Sequence, residues 1–160
     1  MVELRVRLRP LTEEGLAELL EVAVADAEPA EVLAPVAGPP GWTAERRRAF
    51  LEFHRGRSVG TDHPVETTYV ICVGDRAVGA ARLEPAGEAV EAGVWIGRSH
   101  RGRGVGEAVM AQLRSAAVDT GASRLTASTT VANIAAQRLL ANAGAVLAAD
   151  GADVVATLDL

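Results

Sequence analysis

The stretch GRSHRGRGVGEAVMAQL, residues 97 to 113, places glycines and basic side chains directly before a helical pattern. Glycine has no Cβ atom, so a glycine-rich backbone can approach a ligand closely and point several N–H groups at one spot. The helix that follows adds unpaired N–H groups and a partial positive charge at its first turn. The stretch therefore predicts a loop that binds an anion, and a phosphate group suits it best.

The basic side chains of this loop strengthen that prediction. Arg98, His100, Arg101 and Arg103 lie close together in a chain whose formal net charge is −5. Their concentration at one place favours a polyanionic ligand. A protein built mainly to bind nucleic acid needs a broad basic face to displace counterions, and the acidic balance of the chain argues against one. We therefore expect no nucleic-acid partner.

The spacing of the glycines and the types of basic residue show which known class of phosphate-binding loop this stretch can form. A dinucleotide fingerprint fails because Glu107 stands where its third glycine belongs. Walker-type and kinase-type loops need a lysine, and all 16 basic residues of this chain are arginine. What remains is the motif Arg101-x-x-Gly104-x-Gly106, which follows a strand pattern and opens a helix pattern.

This motif resembles the acetyl-CoA loop of the GNAT family of N-acetyltransferases, and the resemblance covers about residues 67 to 145. The family also commonly carries an asparagine, an alanine three places later and a glycine eleven places later, matched here by Asn133, Ala136 and Gly144. The resemblance implies that the loop binds the pyrophosphate of acetyl-CoA, and that the preceding strand and Asn133 contact the pantetheine arm. The implied cofactor-binding residues are Val94, Trp95, Ile96, Arg101, Gly102, Arg103, Gly104, Val105, Gly106 and Asn133.

The implied reaction is transfer of an acetyl group from acetyl-CoA to a primary amine by direct attack. The amine belongs to a small molecule or to a protein N-terminus. Glu91 lies on the strand that borders the acceptor side in the family, which makes it the candidate general base, with Glu88 or water as alternatives. Leu140 replaces the tyrosine that protonates the leaving sulfur in many members, and Ala145 replaces an aromatic residue. The missing acid leaves a second hypothesis, a non-catalytic acyl-CoA-binding sensor or interaction domain.

The periodicity of the chain predicts a mixed α/β sheet in one domain, residues 1–160. The sheet is antiparallel in its first half, and a later β-α-β crossover carries the glycine loop, in the order βααβββαβαββ. On the second helix, Phe50 and Phe53 are expected to face the core, and on the helix after the loop Val105, Val109 and Leu113 form one apolar stripe. The predicted elements are strand 2–9, helices from Thr12 to about Val24 and from Thr43, strands 67–73, 77–83 and 88–96, helix 104–120, strand 124–128, helix 132–143 and two strands around Asp150-Gly151.

Residues 26 to 66, together with the terminal hairpin, are expected to form the acceptor site, since these segments flank the thioester in the family. Asp26, Glu28, Glu31 and Glu45 make that region acidic, which would suit a cationic amine. His54 and His63, in the same half of the chain, are interpreted as surface residues.

Cysteine and histidine usage predicts no disulfide and no metal site. Cys72 stands alone in an apolar run, which indicates a packed thiol, and three scattered histidines offer no ligand spacing. No apolar run approaches the ~20 residues of a membrane helix, and the start, MVELRVRLRP, alternates instead of forming a secretion signal. We expect a cytoplasmic protein without a membrane partner, and assembly into a homodimer is left open.

Overall fold

The computed structural model describes residues 5–160, a mixed α/β fold with seven strands in one sheet. Its helices and strands follow one another in the predicted order, with one additional short helix over Pro29–Val32. Residues 2 to 4 of the predicted first strand lie outside the described part. The elements are β1 (Val6–Pro10), α1 (Glu13–Asp26), α2 (Pro29–Val32), α3 (Ala44–His54), β2 (Thr67–Val73), β3 (Arg76–Ala86), β4 (Ala89–Ile96), α4 (Val105–Asp119), β5 (Arg124–Thr130), α5 (Ile134–Asn142), β6 (Val146–Asp150) and β7 (Asp153–Asp159).

The strands lie in the order β1-β2-β3-β4-β5-β7-β6. Every neighbouring pair is antiparallel except β4 and β5, which run parallel and are joined through α4. A parallel pair needs a crossover connection, and α4 provides it, so the predicted β-α-β unit is confirmed. The glycine loop lies between β4 and α4, at the point where the chain leaves the sheet.

Helices cover both faces of the sheet. Helices α4 and α5 pack on one face, in a core that includes Val109, Leu113 and Leu140. On the other face α1 and α3 enclose a second core around Leu16, Leu19 and Phe50. The apolar stripe predicted for α4 is confirmed, because its members are buried at the spacing of successive helical turns.

Three predictions about the front half of the chain are wrong. The side chain of Phe50 is fully buried, but that of Phe53 is 45% exposed. The proline-rich segment 26–42, whose sequence indicates a loop, contains α2, where Pro29 occupies a first-turn position that needs no N–H donor. The second helix, predicted to run to residue 57 with a loop over 56–66, ends at His54 and is followed by a π-helical turn over Arg55–Val59. The buried residues of α3 are Phe50 and His54, four residues apart, and Phe53 lies to one side of the face that they define.

Strands β4 and β5 separate soon after they meet. They pair only where Ala89–Glu91 faces Arg124–Thr126, although β4 continues to Ile96 and β5 to Thr130. On its other side β4 pairs with β3 along its whole length. Within the described residues, the β5-facing edge of 92–96 therefore has no strand partner, and the diverging strands leave a cleft between them. Backbone polar groups require partners, so this edge suits a ligand that carries amides.

Two features of the described residues bear on other predictions. Cys72 is fully buried, which confirms the packed thiol. Among residues 5–160, none of the helices combines the length and the apolar character that crossing a bilayer requires.

Candidate functional site

The glycine loop has a backbone that only glycine adopts readily. Strand β4 ends at Ile96, a 3₁₀-helical turn spans Arg98–His100, and Gly102 and Gly104 have φ angles of +72° and +83°. Positive φ places Cβ against the backbone for other L-residues, so the two glycines set this turn. The loop therefore directs the chain into α4 without covering the first turn of the helix with side chains.

The first turn of α4 presents free N–H groups. Gly104, at the cap position, supplies no side chain, and the first N–H that donates into this end of the helix is that of Ala108, to the Gly104 carbonyl oxygen at 3.3 Å. The N–H groups of Val105, Gly106 and Glu107 precede it. Unpaired donors and the positive end of the helix dipole together form an anion site.

Gly106 has a different role, which is close packing. A Cβ atom at this position would lie 3.1 Å from the Leu139 side chain of α5 and 3.8 Å from that of Ile96 in β4. The absence of a side chain therefore lets α4, α5 and β4 meet at the loop. This contact fixes the first turn of α4 beside the end of the cleft.

The cleft and the anion site are continuous, since the loop begins one residue after Ile96. Val94 and Ile96 pack their side chains on the α4 face, and Trp95 packs on the α1 face. The side chain of Val105 is buried in the core. Val105 can therefore offer a ligand only its backbone, whereas Val94, Trp95 and Ile96 are partly exposed and border the cleft along the strand. The unpaired strand edge can hydrogen-bond an arm that carries amides, and the helix N–H donors beyond it can bind a pyrophosphate. Coenzyme A has both groups in this order.

Acidic residues of α2 and of the turn before it hold the arginines of the loop. The Arg101 guanidinium contacts the Glu31 carboxylate at 2.6 Å and donates to the Ile96 carbonyl oxygen at 2.9 Å. Arg98 contacts Glu28 at 3.2 Å, in an exposed ion pair. Two of the carboxylates predicted to suit a cationic amine are therefore occupied by the loop.

Asp26, at the end of α1, also contacts the loop. Its carboxylate accepts hydrogen bonds from the backbone N–H of Ser99 and from the Ser99 hydroxyl, the latter at 2.7 Å. Burial acts to raise the pKa of Asp26, but the two bonds from Ser99, with the nearby His100 and Arg98, outweigh it and lower the pKa. Asp26 thus stays ionised and ties the glycine loop to α1.

The candidate base Glu91 is held by an ion pair. Its carboxylate accepts from Arg82 at 2.8 Å, and its side chain is 45% exposed. Arg82 also contacts Glu84 at 3.2 Å and lies 3.7 Å from the buried carboxylate of Glu66. Glu88 lies in the turn that joins β3 to β4, at the opposite end of β4 from the glycine loop.

A cavity of about 300 Å³, which we call the β4 pocket, lies on the α1 and α3 face of β4. A second cavity, of about 390 Å³, lies at the far end of the sheet beside the β3–β4 turn and is remote from the loop. The β4 pocket shares Gly93, Val94 and Trp95 with the unpaired strand edge. Its lining residues are Glu31, Val32, Leu33, Ala34, Phe53, His54, Thr68, Ala80, Ala81, Arg82, Gly93, Val94 and Trp95.

His54 lines this pocket and is only 7% exposed, so its interpretation as a surface residue is wrong. Its ring packs edge-to-face against Phe50, with the centroids 4.7 Å apart, and against Phe53 at 5.3 Å. Burial lowers the pKa of His54 to about 4, so the imidazole is neutral at pH 7. The sequence signal was its position four residues after Phe50, which places both side chains on one helix face.

Comparison with known proteins places this geometry in a family. The family model of the acetyltransferase (GNAT) domain matches residues 5–146. The chain belongs to the GNAT acetyltransferase family. Membership implies acyl transfer from acyl-CoA and confirms the resemblance seen in the glycine loop.

Solved GNAT structures share the fold over nearly the whole chain. The GNAT domain of PAT from S. lividans is 20% identical, with 99% of this chain and 95% of that one covered and a TM-score of 0.75. An acetyltransferase from Thermus thermophilus is 19% identical, with both chains fully covered and a TM-score of 0.75. RimJ from Mycobacterium smegmatis, solved in complex with CoA-disulfide, is 21% identical, with coverages of 98% and 85% and a TM-score of 0.76. None of the curated proteins matches the chain significantly.

Helix α5 shows where this GNAT protein departs from the pattern of its family. Asn133 caps the helix, since its side-chain oxygen accepts from the N–H of Ala136 at 3.1 Å, and its amide nitrogen is the part left to contact a cofactor. Leu140, at the position of the usual proton donor, is 6% exposed within the core. Position 140 therefore offers no acid to the leaving sulfur.

Proposed function

We propose that this GNAT protein is an acetyl-CoA-dependent N-acetyltransferase that acts on a primary amine of a small molecule or of a protein N-terminus. One observation carries the proposal. The unpaired edge of β4 leads directly to the free N–H donors of α4, and the β4 pocket opens on the same strand residues. A thioester held in the cleft would thus lie next to a cavity of a size suited to a small acceptor.

The proposed reaction has three chemical requirements. The amine must lose a proton, its nitrogen must form a bond to the thioester carbon, and the C–S bond must break to release the thiolate of coenzyme A. Holding both reactants side by side supplies much of the rate, and a backbone N–H of β4 can stabilise the oxyanion. Because Leu140 is buried and apolar, position 140 cannot protonate the thiolate, so the proton comes from another group or from water, or the thiolate leaves unassisted.

Glu91 as general base remains a prediction. Its carboxylate is bonded to Arg82 at 2.8 Å, so it must weaken that bond before it can accept a proton, directly or through water. The alternative of a non-catalytic acyl-CoA sensor is favoured by one observation, the apolar side chain at the usual position of the acid. The cytoplasmic location and the homodimer also remain predictions.

Two measurements test the proposal. Titration calorimetry reports whether acetyl-CoA binds, and a thiol assay reports whether free coenzyme A is released when amines are added. We expect saturable binding and amine-dependent release of coenzyme A. Binding without release across small amines and peptide N-termini would support the sensor, and absence of binding would overturn both functions.

A further inference from the structure

We propose that the β4 pocket selects a monoamine that carries a compact apolar group, and that His54 and Thr68 accept hydrogen bonds from its N–H groups. The inference rests on the proposed function and specifies its substrate class. It follows from the position, the lining, the charge and the unpartnered polar atoms of the pocket.

The position of the pocket brings its contents to the reacting bond. Gly93, Val94 and Trp95 line the pocket, and the same residues form the unpaired edge of β4 that borders the cleft. A ligand in the pocket and a cofactor arm in the cleft would therefore contact the same strand from two sides. An amine at the inner end of the pocket would lie beside the thioester.

The lining of the pocket is mostly apolar. Val32, Leu33, Phe53 and Trp95 provide its larger side chains, and alanine and glycine complete most of the rest. Phe53 is 45% exposed, although a phenylalanine gains more by burial, so a bound apolar group would cover surface that water now contacts. A volume of about 300 Å³ is at the low end for ligand sites, which favours a compact group.

The charged residues of the lining are already paired. Glu31 is the one carboxylate that lines the pocket within residues 5–160, and it contacts Arg101 at 2.6 Å. Arg82 is neutralised by Glu91 and Glu84. The pocket therefore offers no free anion to a second ammonium group, and burying an unpaired charge is costly. Diamines and polyamines are disfavoured for this reason.

Two buried polar atoms in the lining have no partner among the described residues. They are Nδ1 of His54 and Oγ1 of Thr68, in side chains that are 7% and 5% exposed. Buried polar groups are normally hydrogen-bonded, and an unmet one destabilises the protein. A neutral imidazole does not repel an ammonium group, and the tautomer that carries its proton on Nε2 offers a lone pair at Nδ1. The threonine hydroxyl oxygen offers another lone pair. An amine N–H group that reaches either atom on binding would supply the partner that the atom lacks.

The substrate class is tested by comparing amines with the wild-type protein and saturating acetyl-CoA. The probes are phenylethylamine, which is a compact aromatic monoamine, and the polycations putrescine and spermidine. We expect kcat/KM to be at least tenfold higher for phenylethylamine. Equal or higher values for the polycations would overturn the inference.

The two polar residues are tested with substitutions that keep size and remove the acceptor. His54→Phe and Thr68→Val should each raise KM for phenylethylamine about tenfold, the effect of losing one hydrogen bond. The matched controls are His63→Phe and Thr67→Val, at exposed positions, which should leave KM unchanged. Thermal melting of each variant shows that it is folded, and unchanged KM in both folded pocket variants would contradict the assignment.

The affinity for acetyl-CoA, measured without any amine, separates this inference from the proposed function. If acetyl-CoA binds and another amine class is acetylated instead, the proposed function stands and the inference is overturned. If acetyl-CoA binds but phenylethylamine is neither bound nor acetylated by the loaded protein, the inference is again overturned. If acetyl-CoA does not bind, both fail.

Discussion

Two glycine residues determine the candidate cofactor site at the smallest scale. Gly102 and Gly104 hold positive φ angles, and Gly104 begins the turn from which α4 points its free N–H groups. This much could be predicted from sequence, because the spacing of glycines before a helix is a local signal. The two positions can also be tested one residue at a time.

Gly104→Ala is expected to raise the Kd for acetyl-CoA at least tenfold, because a side chain at φ +83° strains the turn and shifts the N–H donors. Titration calorimetry measures the effect. The matched control is Gly121→Ala, since Gly121 also has a φ of +83° and follows the other end of α4. Both variants should lose about 1 kcal/mol of stability from backbone strain, but an equal loss of acetyl-CoA affinity in both would contradict the site.

His54 should make stability depend on pH. The pKa of His54 is about 4 in the folded protein, below the ordinary 6.5 of histidine, so the unfolded chain binds the proton first as the pH falls. The free energy of unfolding should therefore decrease from pH 7 to 4.5, with about 2 to 3 kcal/mol due to this residue. Urea denaturation at both pH values measures the change.

The same measurement on two variants identifies the residue responsible. His54→Phe should remove most of the decrease, whereas His63→Phe, at an exposed position, should retain it. A decrease of the same size in all three proteins would show that His54 is not buried in a neutral form.

Glu91→Gln tests the remaining prediction about catalysis. If Glu91 accepts the proton from the amine, the variant should lose about 10²-fold or more in kcat and lose the acidic limb of its pH–rate profile. Glu88→Gln, at the far end of β4, is the control and should behave as wild type. A profile unchanged in Glu91→Gln would leave Glu88 or water as the proton acceptor.

At the scale of elements, Asp26 connects the end of α1 to the glycine loop that follows β4. Asp26→Ala removes the acceptor of two hydrogen bonds from Ser99 and should lower the free energy of unfolding by about 1 kcal/mol. Amide exchange at Ser99 should become faster. The pKa of Asp26 is lowered in the folded protein, so this stabilisation is present above the ordinary pKa of an aspartate and is lost as the pH falls through the lower, folded value.

Glu28→Ala is the control for this tie, because it removes an exposed ion pair with Arg98 that contributes little. It should leave both the stability and the exchange of Ser99 close to wild type. If the two variants lose equal stability, the bonds to Ser99 are not what holds the loop to α1.

Sequence patterns predicted the helices and strands whose apolar residues are regularly spaced. They missed features that depend on contacts with other parts of the fold. The stripe of α4 and the strands around Gly74 and Gly151 follow local rules. Helix α2 is four residues long, begins at a proline, and is too short to show a period. Phe53 was expected in the core because it is an apolar aromatic residue. Residue type alone does not tell which face of α3 meets the sheet, so this prediction failed.

At the scale of the whole molecule, function depends on where two parallel strands separate. The cleft exists because β4 and β5 pair over three residues and then diverge. No local pattern reveals that separation, because it concerns two strands that are more than 25 residues apart in the chain. The β4 pocket likewise joins His54, Thr68, Arg82 and Gly93, which are distant in the chain, so it could not be read from sequence spacing.

A crystal structure of the protein grown with coenzyme A tests most directly whether the cleft and the glycine loop form the cofactor site. We expect the pantetheine arm to lie along Val94–Ile96, and pyrophosphate oxygens to lie within hydrogen-bonding distance, about 2.7–3.2 Å, of backbone nitrogens at the start of α4. Coenzyme A bound elsewhere, or a cleft closed by pairing of β4 with β5 beyond Glu91, would contradict the assignment.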